Sequence, residues 1–296
     1  MKVLAAPTSL KGALSAVEAA DALAEGLRLG GADADVLPVA DGGDGTLDVL
    51  GGEARVAEVT APLGGTVRAR WSLLPSDKVS LGETAVIESA QALGFHTVDR
   101  LDPLQASSRG LGELILAAAR EAEFLLVCLG GTVTVDGGAG MREVLHELPL
   151  PTRVLCDVQS PLLDAVYVFG EQKGAAADDL EALAERLRGL PDVPGAGAAG
   201  GLGGAFAALG AELLPGAPYI LDAIGFDAEG YDLVVTGEGR VDATTSSGKA
   251  VGEVVRRCVA AGVRCEVFSA ADDFPGGVDG AAADLRAYGE RLARTL

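Results

Sequence analysis

The chain has 296 residues, of which 49% are hydrophobic, 22% charged and 4% aromatic, with 42 glycines, so it carries ample apolar material for a buried core and is not a disordered chain. Its formal charge of −20, from 43 acidic and 23 basic residues, sets up a field that repels nucleic-acid phosphates and anionic membrane surfaces. An anionic small substrate would have to be met by local Lys or Arg groups, helix N-termini or a divalent cation.

In chain order, residues 3–6 predict a buried strand, and Ser15 with Glu18 forms the capping-box signature of a helix start. Ala16, Ala19, Ala20, Leu23 and Leu27 continue that helix on one face until Gly30-Gly31 stops it. A second strand at 36–39 completes a β-α-β unit, and each strand end carries a polar, glycine-bearing loop: Pro7-Thr8-Ser9-Leu10-Lys11-Gly12 and Ala40-Asp41-Gly42-Gly43-Asp44-Gly45-Thr46. From Ala61 the texture changes to alternation over residues 66–71, and Pro62-Leu63-Gly64-Gly65 reads as a boundary. A helix at 110–122, a buried strand at 124–129, shorter strands at 154–156 and 166–169 and an amphipathic helix at 178–189 follow.

The uncharged run 193–211 has nearly membrane-spanning length, but its seven glycines mark it as a glycine-rich loop plus a buried helix. Near Asp227 the opening texture returns, with a strand at 232–236, a loop at 237–249, a helix to about Ala261 and a strand at 265–269. The expected organisation is therefore α/β with two domains. One is built from both chain ends, residues 1–62 plus 228–296, and the other is inserted between them, residues 63–227. Cys128, Cys156, Cys258 and Cys265 form no CxxC pair, and the N-terminus lacks the apolar core of a signal peptide, which together lead to the expectation of a reducing cytoplasm.

Several familiar motifs fail on inspection. Lys249 follows Gly248, but Ala243 and Ala250 stand where a Walker phosphate loop needs glycine and Ser or Thr. Gly195-x-Gly197-x-x-Gly200 fits the dinucleotide fingerprint in letters, and an oxidoreductase reading rests on it alone, but Pro191-Asp192-Val193-Pro194 precedes it rather than a strand. His96 and His146 have no metal-ligand spacing, and Ser107-Ser108-Arg109 serves either as an anion site or as a plain helix cap.

The acidic glycine loops carry more. In Asp41 to Thr46, acids separated by glycines at a strand end suit cation binding or proton transfer with close backbone approach, although ordinary turns use the same residues. Gly130 to Gly138, with Asp136, repeats that chemistry, and Thr236-Gly237-Glu238-Gly239-Arg240-Val241-Asp242 adds an arginine suited to phosphate or carboxylate. Lys11 and Lys173 are each followed by glycine and are candidate phosphate lysines.

Taken in order, these loops resemble the bacterial glycerate kinase family of glyoxylate and glucarate breakdown. The likeness runs through Ser9 to Ala16, Val39 to Thr46, Gly131 to Met141, Asp157 to Leu163, Phe169 to Ala175, Pro194 to Gly203 and Thr236 to Asp242. It implies two α/β domains, one with a Rossmann-like parallel sheet assembled from both chain ends and one inserted, with the active site in the cleft. It also implies transfer of the γ-phosphate of ATP to glycerate with Mg2+, usually giving 2-phosphoglycerate. The charge argues against a nucleic-acid or membrane partner, and either a monomer or a homodimer is expected. Within the family frame Asp41 or Asp136 is the expected base and Lys11 a catalytic cation. Ser9, Lys173 and Arg240 would contact substrate and phosphate, Gly195, Gly197, Gly200 and Gly201 the nucleotide, and Asp44, Glu238 and Asp242 the magnesium. The chain departs from the common family pattern at Thr8, Val135, Ser160 and Glu171, where Asp, Asn, Asn and Pro are usual. These departures leave room for a kinase of another small hydroxy acid or for a degenerate nucleotide-binding paralogue.

Overall fold

The computed structural model describes residues 1–10, 12–76, 82–156, 159–239, 249–274 and 277–295. Among them the strands in chain order are β1 (Lys2–Ala5), β2 (Asp33–Val36), β3 (Glu53–Thr60), β4 (Thr66–Leu74), β5 (Thr84–Glu88), β6 (Phe124–Leu129), β7 (Thr152–Cys156), β8 (Glu212–Pro215), β9 (Leu233–Glu238) and β10 (Arg264–Ser269). They form two sheets, and the chain divides into two compact units, residues 1–41 with 220–296 and residues 42–219.

The first unit contains a parallel sheet in the order β10-β9-β1-β2. Side chains alternate across a strand, so each central strand feeds two cores. Val3 and Ala5 of β1 and Leu233 and Val235 of β9 face one cluster, completed by Leu23 and Leu27 of helix Ala16–Leu29 and Leu285 of helix Gly277–Thr295. Leu4, Ala6 and Val234 face the other, with Val254 and Cys258 of helix Ala250–Ala261. Helices on both faces of a parallel sheet are the doubly wound arrangement.

The capping box forms as expected, with Glu18 N donating to Ser15 Oγ at 3.2 Å and Ser15 N donating to Glu18 Oε2 at 2.8 Å. This helix packs closely on the C-terminal one, because a Cβ at Gly26 would overlap the carbonyl oxygen of Arg286, and one at Gly289 would lie 2.7 Å from Leu23 O.

The second unit contains a mixed sheet, β3-β4-β5-β6-β7-β8, in which β3, β4 and β5 pair antiparallel and β5 to β8 run parallel. Leu125, Val127 and Leu129 of β6 join Trp71, Ile87 and the apolar stripe Leu111, Leu114, Ile115 and Ala118 of helix Arg109–Ala118 in its main core.

Three expectations change. Pro62 to Gly65 is the β3–β4 hairpin turn rather than a boundary, since Ala61 N donates to Gly65 O at 3.1 Å and β3 pairs with β4 along its whole length. Residues 42–62 therefore belong with the second unit. The expected strand at 166–169 is the helix Asp164–Tyr167, whose Ala165 and Val166 pack against Leu162, Leu183 and Leu187. A four-residue apolar run is too short for periodicity to separate the two. The expected strand at 36–39 lies at Asp33–Val36 instead, so the two share only Val36.

Candidate active site

In the first unit the candidate residues gather at the carboxyl ends of the strands. β1 has β2 on one side and β9 on the other, so the chain order reverses across it. In an open parallel sheet, the loops diverge at such a switch point and leave a crevice for ligands. Ser9 follows β1 and Asp41 lies beyond β2, both half-buried. The two exits run side by side, with Val39 N donating to Pro7 O at 3.1 Å.

Glu238 is the last residue of β9. Thr8 ties the β1 exit to it, its amide and hydroxyl both donating to Gly237 O, at 3.0 and 3.2 Å. Ser9 and Glu238 thus come to adjacent strand ends. Oε1 of Glu238 is buried with no hydrogen-bond partner among the described residues, which leaves a lone pair for a cation or a donor. Lys11, Arg240 and Asp242 lie outside the described residues.

In the second unit the loops after β5, β6 and β7 meet the glycine-rich segment that leads into helix Ala198–Ala208 and continues through its first turn, where Ala199, Gly200 and Gly201 are left-handed. A pocket of about 100 Å³ is lined by Gly130, Gly131, Thr132, Lys173, Gly197 and Gly200, with Phe95 and Phe169 at its wall. Lys173 ends a single turn, Glu171–Lys173, released by Gly174 in the left-handed region (φ 92°). Its side chain is 4% exposed, and Nζ donates to Thr132 Oγ1 at 3.3 Å and Thr134 O at 2.9 Å. A buried ammonium is costly unless polar groups or an anion share its charge, so the pocket beside it suits a phosphate or carboxylate.

The four candidate glycines are governed by packing. A Cβ at Gly195 would lie 2.9 Å from Cys156 Sγ, one at Gly201 2.5 Å from Leu187 Cδ2, and those at Gly197 and Gly200 would overlap Pro161 O and Thr134 O. Gly197 and Gly200 reach the pocket wall; Gly195 and Gly201 are not among its lining residues. Gly197 N is spent on Ser160 O at 3.1 Å. The loop is entered from helix Leu180–Leu187 and turns rather than from a strand, which removes the dinucleotide reading.

Asp136 is placed as a brace. Its Oδ2 accepts from Ser108 N (2.8 Å), Ser108 Oγ (2.8 Å) and Gly140 N (3.0 Å), and its Oδ1 accepts from Gly138 N (3.1 Å). The Ser108 hydroxyl in turn accepts from Met141 N at 2.9 Å, so Ser107 to Arg109 is structural rather than an anion site. Val135 is fully buried among Leu162, Ala165 and Leu187, so this departure from the common family pattern lies in a core and not on the pocket wall.

The motif pattern passes over one acid, Glu88. It ends β5, is 1% exposed, and accepts from Leu47 N at 2.7 Å and Gln91 Nε2 at 3.2 Å. Burial pushes its carboxyl up to about 7, and Asp44 and Asp48 nearby push the same way against those two hydrogen bonds. The signal lies in Ala85-Val86-Ile87-Glu88-Ser89, an acid at the end of a buried apolar run like those of the other loops. Asp44 itself is exposed. Among the described residues no cluster of three His, Cys, Asp or Glu side chains could hold a metal ion, and no helix is long and apolar enough to cross a membrane.

The glycerate kinase family's sequence model matches residues 3–147 and 147–273. The glycerate kinase of Bacillus subtilis (strain 168) is 40% identical across 84% of this chain and 79% of its own length. The glycerate 2-kinase of Escherichia coli (strain K12) is 37% identical across 84% of this chain and 80% of its own. A solved structure assigned to glycerate kinase 2 of Salmonella typhimurium LT2 superposes with a TM-score of 0.76 at 32% identity, covering 100% of this chain and 98% of that one. With matches that run through both sheets and every strand-end loop discussed above, the chain belongs to the glycerate kinase family.

Proposed function

We propose that the protein transfers the γ-phosphate of ATP to a hydroxyl of glycerate, giving 2-phosphoglycerate. The observation that carries this reading is the family match over residues 3–273, and a buried lysine at a glycine-lined pocket supports it. Phosphoryl transfer asks a protein mainly for in-line positioning, charge neutralisation and a proton acceptor.

Asp41 is the proton acceptor in this scheme. Asp136 is withdrawn from that role, because its two oxygens already accept the four hydrogen bonds that shape its loop. Lys173 neutralises phosphate, with Gly197 and Gly200 allowing close approach, and Ser9 supplies a hydrogen bond to substrate. Lys11 and Arg240 are assigned the remaining anionic groups on the strength of the sequence motifs. Glu238, with its orphaned inner oxygen, fits a magnesium-side acid; Asp44 and Asp242 are further candidates on the strength of the sequence motifs. Magnesium, when bound, neutralises the β- and γ-phosphates, and it commonly needs only one or two protein carboxylates beside the phosphates. The reaction belongs to glyoxylate metabolism in the cytoplasm, by a monomer or homodimer.

Purified protein incubated with ATP, Mg2+ and D-glycerate, followed by phosphorus NMR, tests the proposal. The expected product is 2-phosphoglycerate. Appearance of 3-phosphoglycerate reassigns the hydroxyl, and ATP left intact with glycerate but consumed with another hydroxy acid moves the substrate. ATP bound but consumed with none of a panel identifies a degenerate paralogue.

A further inference from the structure

Glu88 occupies a position that burial alone does not explain. It is the last residue of β5, paired with Cys128 of β6, at the carboxyl end of the parallel part of the second sheet. A carboxyl group that is 1% exposed carries a desolvation cost, and among the described residues no Lys or Arg pairs with it. What it has instead is geometry. Its Oε1 accepts from the amide of Leu47, 41 positions earlier in sequence, at 2.7 Å. That amide lies in the first turn of helix Thr46–Leu50, whose N-cap is Gly45 in the left-handed region (φ 94°), with no side chain to cap it.

The loop before that helix, Gly42-Gly43-Asp44-Gly45, has one side chain, and it is Asp44. Glycine-rich backbone has little conformational preference of its own, so its placement must come from outside. Gly42 is seated from one side, since a Cβ there would lie 2.7 Å from Gly216 Cα. Glu88 holds the other side.

The next residue extends the same bracket. Ser89 Oγ donates to Gly130 O at 3.0 Å and accepts from Gly130 N at 3.1 Å, which fixes the loop lining the Lys173 pocket. A Cβ at Gly131 would lie 3.6 Å from Asp44 Cβ. The dipeptide Glu88-Ser89 therefore ties two loops, one bearing Asp44 and one bearing the pocket glycines, to a single strand end.

We propose that Glu88 is a positioning residue for phosphoryl transfer, holding the Asp44 loop beside the 130–132 loop through its hydrogen bond to Leu47 N. The role rests on the kinase reading above and acts through Asp44. The test compares wild type with E88A, E88D, E88Q, D44N and D44N/E88D, by steady-state kinetics with ATP and D-glycerate and by amide hydrogen exchange over residues 42–50. Glutamine keeps an acceptor at the same reach, whereas aspartate keeps the charge but falls short.

E88A and E88D should lose about tenfold or more in kcat with KM values within about threefold, as small misplacements cost that much in positioned reactions. E88Q should remain near wild type. Exchange over 42–50 should quicken in E88D, and D44N/E88D should be no slower than D44N alone, as expected for residues acting as one unit. Should E88A fail to fold, E88D and E88Q carry the comparison. Wild-type kcat in E88D, or losses that add in full on the D44N background, overturn the proposal. If wild type does not phosphorylate glycerate, the kinase reading fails separately, while unchanged exchange in E88D overturns the bracket whether or not glycerate reacts.

Discussion

Asp136 and Ser108, 28 residues apart, are joined twice: Asp136 Oδ2 accepts from both the amide and the hydroxyl of Ser108, each at 2.8 Å. The pair closes the loop after β6 onto the start of helix Arg109–Ala118. An acid so engaged shapes a site and is poorly available to take a proton from substrate.

Asp136→Ala should therefore unfold more easily than wild type. It strands the Ser108, Gly138 and Gly140 donors in a buried place, which costs on the order of 3 kcal/mol or more. Urea unfolding followed by circular dichroism measures this. Wild-type stability in D136A would return Asp136 to the set of candidate bases.

Asp41→Asn tests the assignment of the base. If Asp41 takes the hydroxyl proton, kcat falls by about 10²- to 10⁴-fold while the urea midpoint stays near wild type. Coupled measurement of ADP release and of the unfolding curve separates this from a folding defect.

Lys173→Met retains the length of the stem but removes the buried charge. Phosphate neutralisation is then lost, and kcat/KM should fall by roughly 100-fold. Stability should change little or fall modestly, because the relief of desolvating an ammonium that is 4% exposed is offset by the hydrogen bonds lost at Thr132 Oγ1 and Thr134 O. A fall in melting temperature with unchanged kcat/KM would make Lys173 a purely structural residue.

Gly26→Ala tests the helix pair of the first unit. Its new methyl would overlap the Arg286 carbonyl oxygen, and pushing the two helices apart should cost about 1–3 kcal/mol or more. The readout is the urea midpoint, with the neighbouring Ala24→Gly as a control that creates space instead of removing it.

Glu88 gives a pH signature in stability. Its folded-state value of about 7 lies above the ordinary 4.5, so the folded chain holds a proton that the unfolded chain has released. The stabilising contribution is complete below about pH 4.5 and is lost as pH rises through about 7. The difference in unfolding free energy between Glu88→Gln and wild type should therefore grow in favour of the glutamine variant across that window. A difference that stays flat from pH 4.5 to 8 would show that Asp44, Asp48 and burial do not raise this group.

Much of the architecture is legible in the sequence where the signal is local. The capping box at Ser15 and Glu18, the helix face Ala16 to Leu27 and the apolar strand at 124–129 all follow from short-range periodicity and side-chain chemistry. The run at 166–169 misleads because a few apolar residues pack equally well in either conformation, and its burial against Leu183 and Leu187 comes from elsewhere in the chain. Pro62 to Gly65 punctuates the chain in the same way at a hairpin as at a domain boundary.

The site divides along the same line. From its residues alone the chain determined that acidic glycine loops recur at strand ends and offered Lys173 as a candidate phosphate lysine, because residue type and local spacing carry that information. Only the tertiary structure decided which acids hold loops. Hydrogen bonds joining Asp136 to Ser108 and Glu88 to Leu47 span 28 and 41 residues, and burial depends on what the rest of the chain packs around them.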